Sequence, residues 1–327
     1  MFVTKYTKQF LIVAIGIVVV ALGILATLGL PLGIDFTGGA LTEASYSERP
    51  EKSVVEEALA PIDLGNYSLR ETVDETGRDG YILRSRDLSE EERIAVDEVL
   101  HQVGQDGEVI RFTSIGPVIG EELKQKAVWA IGAVALIIVL YVAYAFSGVS
   151  KPVSSWRYGG ITILALLHDV LVPTAVFSVL AFLTGAEVDV LFVMALLAVL
   201  GYSVNDTIVV FDRVRENLLK YRTEKRRKVE VVGGMQKEEV EYSFTKPFKE
   251  IVGESVEQTL TRSINTSITT FLALAALYIL GGDVTQNFAL MLIAGVIAGT
   301  YSSICIANPL LIYFGEKAIA REAKESK

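Results

Sequence analysis

The stretch LFVMALLAVLGYSVNDTIVVFDRVREN, from Leu191 to Asn217, decides how the rest of the chain is interpreted. It is long and apolar enough to cross a bilayer, which takes about 20 mostly apolar residues. Asn205 and Asp206 nevertheless lie within it. A carboxylate in a membrane span costs about 2.5–3.5 kcal/mol on insertion scales, so such residues usually face the interior of a helix bundle and serve a function there. The stretch therefore predicts a membrane protein with a polar site between its helices.

Apolar blocks of similar length recur along the chain. The 327 residues are 51% hydrophobic, which is too apolar for a soluble domain of this size. The predicted spans, six in all, cover residues 10–32, 126–147, 159–184, 187–211, 263–281 and 286–314. The first run exceeds the apolar core of about 7–15 residues found in a signal peptide, so we interpret it as an uncleaved anchor.

The distribution of Lys and Arg orients these spans, because basic residues accumulate in short cytoplasmic segments. Basic residues occur in the N-terminal residues 1–9, the 148–158 loop, the 212–258 loop and the 315–327 tail, and are absent from the connections at 184–187 and 281–286. Both termini are therefore predicted to be cytoplasmic.

The basic 212–258 loop begins as a helix that continues the fourth span, and it contains the run Lys225-Arg226-Arg227-Lys228. Such a run near a span favours contact with anionic lipid. Contact with nucleic acid or a ribosome is the alternative. No other feature of the sequence supports it, so we predict no nucleic-acid partner.

Residues 33–125 are predicted to lie outside the cytoplasm, as a small α+β domain and its connection to the second span. Strand patterns cover 41–47, 67–73, 80–86 and 108–114, and helical patterns cover 52–60 and 89–102. Ser89 and Glu92 have the spacing of a capping box. The order β-α-β-β-α-β is the ferredoxin-like arrangement. The predicted fold class is therefore a polytopic α-helical membrane protein, with six transmembrane helices and a ferredoxin-like domain between helices 1 and 2.

The outer domain is strongly acidic. Residues 33–122 carry 21 acidic and 8 basic residues, a balance that argues against the binding of polyanions there.

Polar side chains share the helical face of Asp206 on the fourth span. Tyr202 and Ser203 lie four and three residues before it, about one turn away. A second polar stripe, on the fifth span, contains Arg262, Asn265 and Thr266.

Asp206 and Arg262 are expected at depths that allow contact, because the fourth span runs inward and the fifth runs outward. Arg262 keeps its proton. A contact that forms and breaks would therefore switch Asp206 between releasing and holding a proton, which can couple an ion gradient to motion. A static buried pair that only fixes the helix register fits the same spacing.

His168 and Asp169 lie near the middle of the third span. About ten residues separate them from its cytoplasmic start, which is about 15 Å at a rise of 1.5 Å per residue. This depth makes both of them candidates for the polar site. A simple hydrogen bond from His168 to a neighbouring helix is the alternative.

Motifs for other chemistry are missing from the sequence. It has no GxxxxGK[ST] phosphate loop and no HExxH or HxxxH metal spacing. Asp35-Phe36-Thr37-Gly38-Gly39 differs from the Asp-Thr-Gly of aspartic proteases by its phenylalanine, and we interpret Asp35, Gly38 and Gly39 as a structural turn after the first span. We therefore predict no enzyme activity, no catalytic residue, no metal and no cofactor.

Four motifs, in this order, resemble the SecF family. They are GIDFTGG at 33–39, ALLHD at 165–169, GYSVNDT at 201–207 with FDRVREN at 211–217, and QTLTRSINTS at 258–267. SecF is the smaller membrane subunit of the SecD–SecF accessory complex of bacterial protein export, within the resistance–nodulation–division superfamily. The likeness covers nearly the whole chain.

The resemblance implies a role in the Sec pathway of the bacterial cytoplasmic (inner) membrane. It implies pairing with SecD to give twelve spans, work with the SecYEG channel on a translocating preprotein, and YidC and YajC as additional partners. It also implies use of the proton gradient, or of sodium as in some organisms.

Within the matched motifs, the resemblance implies that Asp206 and Arg262 couple ions, with Asn205 and Asp169 as further participants. Candidates for relay or support are His168, Tyr202, Ser203, Asn265 and Thr266.

Two other functions stay open at this point. One is half of a small-molecule or lipid exporter of the same superfamily, and the other is a non-transporting assembly subunit. The chain also departs from the family pattern. The 44 residues between Asn217 and Arg262 are more than the family pattern has, with the excess around Thr223–Phe244.

Overall fold

A computed structural model describes residues 2–74, 76–147, 153–231 and 235–325. Its helices are α1 Phe2–Lys5, α2 Thr7–Leu28, α3 Ile34–Thr37, α4 Lys52–Leu59, α5 Glu90–Val103, α6 Pro117–Ala145, α7 Ser155–Thr184, α8 Val190–Tyr221, α9 Phe248–Leu280, α10 Asp283–Ser302 and α11 Asn308–Glu325. Its strands are β1 Gly39–Ser45, β2 Ser68–Val73, β3 Asp79–Ser85, β4 Glu108–Ile115, β5 Arg222–Val231 and β6 Met235–Phe244. A π-helical turn, Ser303–Ala307, joins α10 to α11.

Six helical segments within the described ranges are long and apolar enough to cross a membrane, which confirms the predicted fold class. They are α2, α6, α7, α8, α9 and the continuous segment from α10 through the π turn into α11. The first membrane helix, α2, ends at Leu28 rather than at Leu32 as predicted, because Gly29 adopts a φ of 71° and Pro31 follows. Helix α6 begins at Pro117, well before the predicted span, since proline suits the first turn of a helix.

Residues 212–258, predicted as a basic loop that begins as a continuation of the fourth span, form the end of α8, the strands β5 and β6 and the start of α9. The two helical extensions pack on each other through an apolar stripe. Val214 and Leu218 of α8 are buried in one cluster with Ile251 of α9. The charged residues on the outer faces of these extensions gave the sequence the composition of a loop.

The four-stranded sheet between α2 and α6 has the order β2-β3-β1-β4, with every neighbouring pair antiparallel. Helices α4 and α5 bury their apolar faces against it. The shared core contains Val55, Leu59, Leu69, Tyr81, Leu83, Val96 and Leu100. This order confirms the ferredoxin-like arrangement, and the strands begin and end within two residues of their predicted positions.

The predicted capping box opens α5. The backbone N–H of Glu92 donates to Ser89 Oγ at 3.3 Å, and the N–H of Ser89 donates to Glu92 Oε2 at 2.9 Å. Arg86 Nη1 also donates to Glu92 Oε2, at 3.0 Å. The hydrogen bonds from Arg86, and then those from Ser89, lower the pKa of Glu92 from 4.5 to about 2.

Acid is expected to destabilise the outer domain through Glu92. Because its pKa is lower in the folded state, the ionised carboxylate stabilises the fold above pH 4.5, and this contribution is lost as the pH falls from 4.5 towards 2. Thermal unfolding of the chain in detergent, measured across this pH range, is the test. The Glu92→Gln variant cannot titrate and should lose this part of the pH dependence. An identical profile for both proteins would contradict the role of Glu92.

Two arginines of the outer sheet attach the domain to the connection between α7 and α8. Arg84 of β3 forms an ion pair with Glu187. Arg70 of β2 donates to the carbonyl oxygen of Gly185. These two contacts join the outer sheet directly to the α7–α8 connection.

The turn after α2 links the outer domain to α8 and α6. Asp35 Oδ2 accepts a hydrogen bond of 2.9 Å from the N–H of Val190, at the start of α8, where unpaired N–H groups favour a negative charge. Gly38 and Gly39 have φ values of 73° and 125°, which L side chains rarely adopt. A Cβ on Gly39 would lie 2.6 Å from the carbonyl oxygen of Ser85. The residues predicted as a structural turn thus pass between closely packed backbones.

Replacing Gly39 with alanine is expected to destabilise the chain. A strained backbone conformation costs about 1–3 kcal/mol, and the approach to the Ser85 carbonyl adds to that cost. Thermal unfolding of the purified chain measures the effect. The matched control is Gly16→Ala in α2, whose added Cβ would meet nothing within 4 Å. Equal stability of the two variants would contradict the close approach at Gly39.

Candidate functional site

The polar residues of the membrane helices lie where α10 and the π turn pack against α7, α8 and α9. Two glycines let α10 approach α8 closely. A Cβ on Gly295 would lie 2.1 Å from a methyl group of Val199, and one on Gly299 would lie 3.0 Å from Cβ of Ser203. This contact brings the end of α10 next to the polar face of α8.

Asp169 of α7 is fully buried, and both of its carboxylate oxygens have hydrogen-bond partners. Oδ1 lies 2.8 Å from Nδ1 of His168. Oδ2 accepts from the hydroxyl of Ser302 at 2.6 Å and from the hydroxyl of Ser203. Such donors are needed because burying an unpaired carboxylate in an apolar medium is very costly. Ser203, predicted on the face of Asp206, therefore contacts Asp169 instead.

His168 keeps one polar atom free within the bundle. Its Nε2 atom is buried and has no hydrogen-bond partner in the described part of the chain. The ring lies 5.7 Å from that of Tyr301, between centroids. Because buried polar groups are nearly always paired, this atom is a candidate for a functional contact.

Asp206 of α8 is half-buried and accepts hydrogen bonds from two neighbouring helical segments. Oδ1 accepts from the hydroxyl of Ser263 on α9. Oδ2 accepts from the hydroxyl of Ser303, at the start of the π turn, at 2.5 Å. Among the residues that the structure describes, Asp206 has hydroxyl partners and no ion pair.

Arg262, expected at a depth that allows contact with Asp206, has no described contact with it. Its neighbour Ser263 makes the contact, and Arg262 is exposed. Successive residues of a helix point about 100° apart. In the described position of α9, the face that meets Asp206 therefore carries Ser263 and not Arg262.

Tyr202 contributes to a separate polar contact between α8, α9 and α10. Its hydroxyl donates to Oγ of Ser267 at 3.2 Å, and that atom lies 2.6 Å from Oγ1 of Thr300. The remaining predicted residues, Asn205, Asn265 and Thr266, are exposed and are not brought to either carboxylate by any described contact.

Besides Ser203, three serines donate to the two carboxylates, and the sequence analysis missed all three. They are Ser263, Ser302 and Ser303. A serine in a membrane helix can satisfy its hydroxyl on the carbonyl one turn earlier, so it gives little signal alone. The useful signal was the Ser-Ser pair within an apolar run, together with a serine directly after Arg262.

A cluster of hydrogen-bonded polar side chains joins α8 to α9 on the side predicted to be cytoplasmic. Asn217 Nδ2 donates to Oγ of Ser255 and to Oε1 of Gln258, each at 2.9 Å. Arg213 Nε donates to the same oxygen of Gln258 at 2.6 Å. These bonds fix the two helices to each other on that side of the site.

Comparison with family models matches two families to this chain. "Protein export membrane protein SecD/SecF, C-terminal" matches residues 95–236 and 231–317, and "SecD/SecF GG Motif" matches residues 23–48. The two parts of the first match overlap at residues 231–236, a range that includes the last residue of β5 and the first two of β6. The second match contains the turn with Asp35, Gly38 and Gly39.

Curated relatives extend the likeness to nearly the full chain. The protein translocase subunit SecF of Thermobaculum terrenum is 35% identical over 98% of this chain and 95% of its own length. The SecF of Anaerolinea thermophila is 36% identical over 93% of this chain and 92% of its own.

Solved structures of SecDF share the fold. SecDF from Thermus thermophilus, described as a translocon-associated membrane protein, aligns with a TM-score of 0.76 and 29% identity over 97% of this chain. SecDF in its super-membrane-facing form aligns with a TM-score of 0.63 and 31% identity over 99% of this chain. This chain spans 39% and 40% of those longer chains. Because the relatives match along their whole length and both family models match, the chain belongs to the SecF family of protein translocase subunits.

Proposed function

We propose that this chain works as the SecF half of a SecDF complex and uses an ion gradient to assist Sec-dependent protein export. The observation that carries the proposal is the Asp206 carboxylate, which lies between membrane helices and is held by the hydroxyls of Ser263 and Ser303. Intramembrane carboxylates of this kind mark ion pathways and proton relays. Asp206 is therefore the proposed site of proton or cation uptake.

The proposed cycle alternates two partners of Asp206. In the described position, α9 presents the hydroxyl of Ser263. A rotation of α9 by about 100°, the angle between successive helical residues, would present Arg262 instead. The permanent charge of Arg262 would favour the ionised carboxylate and expel the bound proton. Uptake from one side and release to the other would thus drive α9 between two positions.

SecD is the proposed partner that completes the membrane bundle to twelve spans. In the solved SecDF chains this protein corresponds to about two fifths of the length, with 39% and 40% covered. The remainder would be supplied here by a separate subunit. The exposed apolar residues Ile264, Ile268 and Leu272 on α9 provide a surface that suits a partner helix.

The remaining partners and the location are proposed on the family likeness and on the charge distribution. The complex would lie in the bacterial cytoplasmic membrane with both termini in the cytoplasm. It would work with SecYEG, and with YidC and YajC, on a preprotein that emerges near the outer domain. The role is transport and not catalysis of a chemical reaction.

Export into vesicles tests this function. Vesicles with SecYEG and SecD, with or without this chain, receive an imposed proton gradient, a sodium gradient or none. Preprotein uptake is expected to respond to a gradient only when the chain is present. An equal response without the chain would contradict the proposal and favour a non-transporting assembly subunit. Gradient-driven efflux of lipid or small molecules by the chain, without an effect on preprotein, would favour an exporter.

The β5–β6 hairpin accounts for the long segment between the third and fourth motifs. Its register places Lys225, Arg227 and Lys228 opposite Glu241, Glu239 and Glu238. Contact of this basic run with anionic lipid stays a proposal.

Excision of residues 223–243 is expected to leave folding and export intact. The ends of the hairpin already meet, because the N–H of Thr245 donates to the carbonyl oxygen of Tyr221 at 2.9 Å. Lys246 and Tyr221 also bond Glu254 independently of the hairpin, at 2.8 and 2.9 Å. A variant with a short glycine linker in place of 223–243 would be compared with the parent for thermal unfolding and vesicle export. A large loss of gradient-dependent export would show that the hairpin takes part in the cycle.

A further inference from the structure

Two consecutive serines contact the two buried carboxylates separately. Ser302 Oγ donates to Asp169 Oδ2 at 2.6 Å, and Ser303 Oγ donates to Asp206 Oδ2 at 2.5 Å. The carboxylates belong to different helices, α7 and α8, and both serines belong to the junction of α10 with the π turn. A single peptide unit therefore links the surroundings of the two acids.

The π turn positions the two serines, Ser302 and Ser303, against the acids. Such turns carry one extra residue within an α-helix and occur frequently at functional sites. Here the turn is held by Asn308, which is fully buried and donates from Nδ2 to the carbonyl oxygen of Ser303 at 2.6 Å. Asn308 thus stabilises the described position of the backbone that carries both hydroxyls.

Each hydroxyl has one proton and two acceptors within reach. For Ser302 these are Asp169 and the carbonyl oxygen of Gly299, at 3.1 Å. For Ser303 these are Asp206 and the carbonyl oxygen of Thr300, at 3.0 Å. When a carboxylate is ionised, the serine donates to it. When the carboxyl is protonated, its O–H can donate to the serine oxygen while the serine proton turns to the helix carbonyl. Neither protonation state then leaves the serine hydroxyl, or the carboxyl oxygen that it contacts, unpaired.

We propose that Ser302 and Ser303 are positioning residues that couple the protonation of Asp206 to that of Asp169. This inference rests on the proposed function, because it makes Asp169 a second site in the cycle that begins at Asp206. A change of hydrogen-bond direction at one serine moves the shared peptide unit and so alters the donor offered to the other acid.

Other titratable groups face this pair from the surrounding helices. On α7 and α10 they are His168 and Tyr301, whose rings are 5.7 Å apart between centroids. The titratable side chains nearest along α8 and α9 are Tyr202, whose hydroxyl donates to Ser267, and the exposed Arg262, and the π turn carries the buried Cys305. Helix α2 has no titratable side chain from Phe10 to Leu28, and Tyr141 and Tyr144 of α6 are exposed away from the bundle. His168 is thus the titratable side chain in direct contact with Asp169.

Infrared spectroscopy of the full chain with SecD in vesicles tests the coupling. The protonation of each acid is followed while the pH is stepped, and the bands are assigned with Asp169→Asn and Asp206→Asn. The midpoint for Asp169 is expected to move by about one pH unit when Asp206 is replaced, the size at which two sites titrate as a pair. This shift should vanish in Ser302→Ala and Ser303→Ala, and return in Ser303→Thr, which keeps the hydroxyl.

The matched control is Ser178→Ala. Ser178 is also a buried serine of a membrane helix, but its hydroxyl donates to the carbonyl oxygen of Gly29 at 2.5 Å. The shift should persist in this variant. A shift that persists in the Ser302→Ala and Ser303→Ala variants, or no shift in the wild type, would overturn the inference.

Export measured in the same vesicles separates this inference from the proposed function. If Asp206→Asn keeps gradient-dependent export, the proposed function fails and the serine coupling fails with it. If export depends on Asp206 while Ser302→Ala and Ser303→Ala behave like Ser178→Ala in both assays, only the serine coupling fails.

Discussion

Replacement of Asp206 by asparagine is expected to abolish the gradient-dependent part of preprotein export. Asparagine keeps the shape of the side chain and can still accept a hydrogen bond from Ser303 or Ser263, but it cannot take up or release a proton. Export in an imposed gradient should therefore fall to the rate seen without one. The assay uses vesicles that contain SecYEG, SecD and the variant chain.

The control for Asp206→Asn is Asp212→Asn on the same helix. Asp212 is highly exposed, with 69% of its side chain accessible, and lies 4.0 Å from Arg215. An exposed ion pair of this kind contributes about 0–1 kcal/mol, so its loss should leave export unchanged. If Asp206→Asn exports as well as Asp212→Asn in the presence of the gradient, Asp206 does not couple ions.

Replacement of Asp169 by asparagine is expected to reduce both gradient-dependent export and stability. The carboxylate accepts from Ser302 and Ser203 at one oxygen and faces His168 at the other. An amide must place its NH2 group on one of these sides. A buried donor or acceptor is then left unpaired, which costs about 1–3 kcal/mol. Thermal unfolding and vesicle export of the same preparation measure the two effects.

A second variant separates the structural effect of Asp169 from its role in coupling. Thr162 is buried in the same helix and donates only to the carbonyl oxygen of Tyr158, at 3.0 Å. Thr162→Val should therefore change stability without changing the response to a gradient. If Asp169→Asn lowers thermal stability but keeps the full gradient response, Asp169 is structural and does not belong to the coupling path.

The sequence was sufficient for the fold class because its signals are strong and independent. Apolar blocks of span length locate the membrane helices, and the Ser89–Glu92 capping box with period-2 strands locates the outer domain. The sequence predicted that α8 continues beyond the fourth span, but not that α9 begins at Phe248. There, residues such as Ile251 form a narrow apolar stripe, and only its packing in one cluster with Val214 of α8 shows that the helix begins so early.

The sequence predicted the two acids of the candidate site and missed most of the serines that donate hydrogen bonds to them. Asp206 and Asp169 are conspicuous because a carboxylate is costly in a span. Serine is not, because it is compatible with almost any position in a membrane helix. The contact of Asp206 with Ser263 rather than Arg262 depends on the rotation of α9 about its axis, which helical spacing within one segment does not determine.

The most direct measurement is ion flux during export. Vesicles with SecYEG, SecD and either the wild-type chain or Asp206→Asn carry a pH-sensitive dye or a sodium-sensitive dye. A gradient is imposed while a preprotein is translocated. We expect ion entry that rises with preprotein movement in the wild type and is absent in Asp206→Asn. Equal ion entry through both proteins, or export by the wild type with no associated ion entry, would contradict coupling at Asp206.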